Sequence, residues 1–86
     1  MTVKSQPEGI HTVTPYLSVR GAAAAIDFYR RAFGAEEVFR LDAGNGLVGH
    51  AEIRIGDSVI LLADELGGSP QRSPSSLAGT SVAVRL

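Results

Sequence analysis

The chain has 86 residues, no cysteine, 44% hydrophobic and 20% charged content, and a formal net charge of −1 at pH 7. That composition excludes a disulfide scaffold, a cysteine–zinc site and a thiolate nucleophile, and it offers no basic surface for nucleic acid or an acidic membrane. The length allows one globular domain at most, with about 60–65% of its unfolded surface buried on folding.

No apolar run approaches the roughly 20 residues of a membrane helix. The opening MTVKSQPEG lacks a signal-peptide core, so the expectation is a soluble, cytoplasmic chain. Residues 1–10 are polar, carry Pro7 and Gly9, and read as a flexible arm. His11 to Val19 alternates and predicts a half-buried strand, with Val13, Leu17 and Val19 on one face and Thr14, Tyr16 and Ser18 on the other. Pro15 lacks an N–H and belongs at the edge or start of that strand.

Gly21 interrupts the alternation, and Ala22 to Phe33 predicts an amphipathic helix. Its stripe is Ala22, Ala25, Ile26, Tyr29 and Phe33, widened by Phe28 and Ala32, with Asp27, Arg30 and Arg31 opposite. Gly34 suits a left-handed C′ position, and the arginines before it suit the negative helix end.

Glu37 to Asp42 predicts a second strand, and residues 43–46 (AGNG) a turn. Leu47 to Ile55 alternates again, with Gly49, Ala51, Ile53 and Ile55 against Val48, His50, Glu52 and Arg54. Gly56-Asp57 suits a two-residue hairpin with glycine first. It leads into Val59 to Ala63, a continuous apolar run expected at the sheet centre. Across that hairpin Ile55 meets Ser58, Ile53 meets Ile60 and Ala51 meets Leu62 on the helix side. Glu52 then meets Leu61 on the open side, beside Arg54 and Val59. Residues 64–79 are rich in Gly, Ser and Pro and read as a linker, with Asp64-Glu65 as a solvated strand end. Thr80 to Leu86 alternates afresh, as the first strand of a second set.

The order is βαβββ, an α+β module over residues 11–63 that reads as half of a duplicated fold. Such a half leaves one sheet face open, and the chemistry-bearing residues gather there. His50 and Glu52, two apart on a strand, project from one face roughly 6.5–7 Å apart. They suit a general base with its orienting carboxylate, or two ligands of an incomplete site that is too small for zinc without help. In the structural alternative His50 bonds a neighbouring strand and Glu52 pairs with Arg54 or a helix arginine. Thr14, Tyr16, Phe39, Arg54 and Leu61 are the expected ligand-binding residues of the same face. An open apolar face calls for cover, either a second copy in a homodimer or a missing second module.

The segments TPYL, GAAAAIDFYRRAFGAEEVFR and HAEIRIGDSVILLADE together resemble the vicinal oxygen chelate superfamily. This is the group of glyoxalase I, the bleomycin-resistance proteins and the extradiol dioxygenases, and the segments are most similar to its PhnB-like branch. The resemblance implies paired βαβββ modules curved around a shared small-molecule cavity, with the helices outside. It implies either lyase, isomerase or oxygenase chemistry at a divalent metal, or metal-free sequestration of a small ligand. The usual first-strand and last-strand metal ligands fall at Thr14 and about Leu61. Threonine is a poor ligand and leucine is none, so no metal-binding residue is assigned. A fragment of a longer chain, without activity of its own, is the third expectation.

Overall fold

Period-2 and period-3.6 patterning sort the chain into a sheet with one helix laid across it. The computed structural model describes residues 12–67 and 70–86. In order they form β1 (Tyr16–Val19), α1 (Ala22–Phe33), β2 (Glu36–Gly44), β3 (Leu47–Ile55), β4 (Ser58–Asp64) and α2 (Pro74–Leu77). The four strands lie in the order β1-β4-β3-β2. β1 runs parallel to β4, while β3 is antiparallel to both of its neighbours. This is a single βαβββ module with the α+β character its patterning predicts. His11 and the arm over residues 1–10 lie outside the described residues.

The helix occupies the residues its stripe marks out. Gly34 closes it at φ 68, with its N–H donated to the Arg30 carbonyl, a conformation that glycine enters without a Cβ penalty. Ala22 and Ile26 are fully buried against Ala51, Ile53, Ile60 and Leu62, with Val48 and Ala35 completing the core. Burying each of the larger aliphatic side chains is worth about 1.5–3 kcal/mol. The β3–β4 register is the expected one, from Ala51 opposite Leu62 to Ile55 opposite Ser58. Phe28 and Ala32 are exposed; the apolar stripe is narrower than expected because one sheet contacts one helix face.

Five expectations need correction. β1 begins only at Tyr16, because pairing with β4 begins there, at Leu61; Pro15 contributes its carbonyl to the Leu61 N–H just before. The first hairpin turn is the two residues Asn45-Gly46, both at positive φ, which matches a type I′ turn and the right-handed strand twist. Gly49 does not face the helix. Leu41 pairs with His50 and Asp42 with Val48, leaving Gly49 as an unmatched bulge residue. One extra residue reverses the alternation, so Val48 turns into the core. Residues 64–79 carry structure of their own: Asp64 ends β4, Pro74–Leu77 is a helical turn, and Ser73 is buried. Finally, Thr80 to Leu86 forms no strand. It lies near Leu17, Tyr29 and Ile60 in irregular conformation, since a strand exists only through a ladder partner.

Candidate functional site

The helix covers one sheet face, and the other is open. Strand pairing lays a row of side chains across all four strands on that open face. Tyr16 is opposite Leu61, Leu61 opposite Glu52, and Glu52 opposite Phe39. One step along, Ser18 pairs with Ala63 and His50 with Leu41. Tyr16 and Phe39 are 52% and 48% exposed, so aromatic surface flanks the row at both ends.

The polar centre is a three-residue line. The Tyr16 hydroxyl lies 2.8 Å from His50 Nδ1, and His50 Nε2 lies 4.0 Å from Glu52 Oε1. Either the phenol donates to a bare Nδ1 or an Nδ1–H donates to the phenol oxygen; both arrangements satisfy the pair. The Tyr16 and Phe39 rings stand 5.5 Å and 6.2 Å from the imidazole, one on each side. The bulge turns Gly49 to this face, where it helps line a hollow of about 230 Å³ with Tyr16, Ser18, Ala63, Leu66 and Gln71. That is below the roughly 300–1,000 Å³ typical of closed small-molecule sites, as expected for one wall of such a site.

The other expected residues divide. Leu61 lies between Tyr16 and Glu52 on the row, half-buried. Arg54 is on the same face but reaches Glu36 on β2 at 3.5 Å rather than Glu52. Thr14 precedes β1 and lines a separate hollow near the second hairpin with Pro15, Asp57 and Val59. The structure does not bring it to the Tyr16–His50 line, because the chain leaves the sheet before Tyr16. Val59 is buried and adds nothing to the exposed surface.

Asp64, expected as a solvated strand end, is 5% exposed. Its Oδ1 accepts from the Gly21 and Ala22 N–H groups at 2.8 and 3.0 Å, and its Oδ2 from the Val48 N–H at 2.8 Å. Burial pushes its pKa up, yet the three backbone donors outweigh that and hold it below the usual carboxylate value. Glu65 faces the other way. It accepts from the Ser73 N–H and the Ser76 hydroxyl, which with the nearby Arg20 bring its pKa down to about 2. A side chain–backbone role of this kind leaves no periodic signal in the sequence.

The donors of this one layer do not by themselves make up a catalytic divalent-metal site. Leu61 presents only methyl groups where the superfamily resemblance places a carboxylate, and Thr14 lies elsewhere. Among the described residues no three His, Cys, Asp or Glu side chains group around a common point. His50 and Glu52 supply at most two ligands, fewer than the three protein ligands usual for catalytic zinc.

A helix-backed βαβββ sheet with a polar line on its open face defines a glyoxalase-like module. The Glyoxalase/Bleomycin resistance protein/Dioxygenase superfamily matches residues 9–85, and the chain belongs to that superfamily. It is 39% identical over 77 residues to the uncharacterized proteins Mb0911c of Mycobacterium bovis and Rv0887c of Mycobacterium tuberculosis. Those alignments cover 86% of this chain but 51% and 45% of the mycobacterial proteins, so the chain spans about half the length of the curated relatives it matches. The crystal structure of TioX from Micromonospora sp. ML1 has a similar fold, with a TM-score of 0.56 and 16% identity over 73% of this chain and 53% of TioX. Among the described residues no helix is long and apolar enough to cross a membrane.

Proposed function

We propose that the open sheet face is one wall of a small-molecule site, completed by a second βαβββ layer, and that it binds an aromatic or apolar ligand carrying a hydrogen-bonding group. The 2.8 Å contact between Tyr16 and His50, set among exposed aromatic surface, carries this reading. A ligand ring packs on the aromatic surface that Tyr16 and Phe39 present on either side of His50, while a polar substituent meets His50 or Glu52. Leu61 supplies the apolar floor and Arg54 the charged rim. The donor set favours metal-free binding over chemistry at a metal. Assignment to the PhnB-like branch, a cytoplasmic location and a homodimeric state belong to the same reading. So does the division into a module over residues 11–63 and a connecting segment over 64–79.

The test is a melting-temperature screen of the purified protein in EDTA against small phenols and aromatic carboxylates. A binder at a hundred times its Kd stabilises by about 2.7 kcal/mol. The shift should disappear in Tyr16→Phe and in His50→Ala. A screen without any shift, or a shift untouched by both substitutions, refutes the reading.

Acid–base catalysis by His50 is a second reading. It is favoured by an imidazole held by Tyr16 at one nitrogen and facing a carboxylate at the other. Turnover of a bound ligand that is lost in His50→Ala and reduced in Glu52→Gln would establish it.

A further inference from the structure

We infer that Asp64 is the positioning residue of the Tyr16–His50 pair, acting through the bulge at Gly49. The inference rests on the open face being the functional one.

The need for such a residue follows from the strand geometry. Val48 must point into the core, where it is 1% exposed, and His50 must point to the open face. Two residues apart on a regular strand they would share a face. The unmatched Gly49 lets them point oppositely, and a bulge loses ladder bonds. On the β4 side the paired register stops at Ala51–Leu62, short of the bulge.

The Asp64 carboxylate supplies the missing acceptor. Its Oδ2 takes the Val48 N–H, while Oδ1 takes two N–H groups at the start of α1. Gly21 brings no side chain to cap that helix, and its first turn holds no acid, so an anion at this spot also suits the helix dipole. One buried carboxylate thus joins three elements. β4 carries it, α1 and β3 donate to it, and Val19 of β1 pairs with its own backbone. His50 leaves β3 two residues past the Val48 N–H that the carboxylate takes, and Tyr16 leaves β1, whose far end runs through Arg20 into the Gly21 and Ala22 N–H groups on the same carboxylate, so the carboxylate sets the angle at which phenol and imidazole meet. Without it a buried Val48 N–H is orphaned, and the bulge relaxes to recover a partner.

The test is NMR of the intact chain with Asp64→Asn, which keeps the shape but replaces one accepting oxygen with an NH2 group that cannot accept. The Val48 amide should exchange about tenfold faster, and the His50 ring nitrogen shifts should move as the Tyr16 bond is lost. Ile26→Val, a core trim that leaves the Asp64 carboxylate and its three donors in place, should lower stability while leaving the His50 ring unchanged. If Asp64→Asn does not fold, Asp64→Glu keeps the charge one methylene further out and must move both the Val48 amide and the His50 ring. A variant that moves Val48 but leaves His50 in its original state reduces Asp64 to a helix cap and overturns the proposal. These readouts need no ligand, so an empty ligand screen and an unmoved imidazole are separate results.

Discussion

Asp64 and Glu65 are neighbours with opposite duties: one holds the interior ends of three elements, the other the outer segment around α2. Glu65 accepts from the Ser73 N–H and Ser76 hydroxyl, and Arg20 donates to the same Ser76 hydroxyl at 2.7 Å. Its folded pKa of about 2 lies below its ordinary 4.5. A depressed carboxylate stabilises fully above its unfolded value and loses that contribution as pH falls through the folded value. Amide protection over Ser73 to Leu77 should therefore fall between pH 4.5 and 2 in the wild type. In Glu65→Gln it should already be low at pH 6 and change little across that window. Equal protection in both proteins at pH 6 would show that the carboxylate does not hold α2. Neither role was legible beforehand: an Asp-Glu pair after an apolar strand has the composition of a solvated end, and only the approach of α1, β3 and α2 supplies its partners.

At the scale of elements, α1 is where sequence and structure agree most closely. Its stripe, its glycine stop and its terminal arginines act within a dozen residues, so local physics decides them. Ile26→Ala should cost about 2–5 kcal/mol through lost burial and a residual cavity. Gly34→Ala should cost about 1–2 kcal/mol, because φ 68 strains a residue with a Cβ. Urea midpoints at constant slope measure both, and an Ile26→Ala loss under 1 kcal/mol would mean that the helix is not seated on Ile53 and Leu62. The strands were legible in their hairpin register and in most of their facing. They were misread at Gly49, where a residue without a side chain gives alternation nothing to register, and at the start of β1. Thr14 was lost from the site for that second reason.

For the whole molecule the open face is the dominant physical fact. Tyr16, Phe39 and Leu41 leave apolar surface on the same side as His50 and Glu52. Large exposed apolar patches mark interaction sites, and a second copy of the chain is the cover available in a purified sample. Sedimentation should show two-chain particles, and Leu61→Asp should shift them to single chains by placing an unpaired carboxylate at the centre of the contact. A Leu61→Asp protein that stays folded and two-chain would move the contact off this face.

The amino-acid pattern by itself determined the βαβββ order, the limits of α1, the β3–β4 register, and the presence of Tyr16, His50 and Glu52 on one sheet face. These follow from periodicity and turn chemistry, which act over short stretches of chain. Only the tertiary structure decided that Tyr16 meets His50 across 34 residues, that Arg54 turns to Glu36, and that Asp64 is buried on three backbone donors. Hydrogen bonds between distant residues depend on bulges and strand ends fixed to fractions of an ångström, and no period in the sequence carries that information.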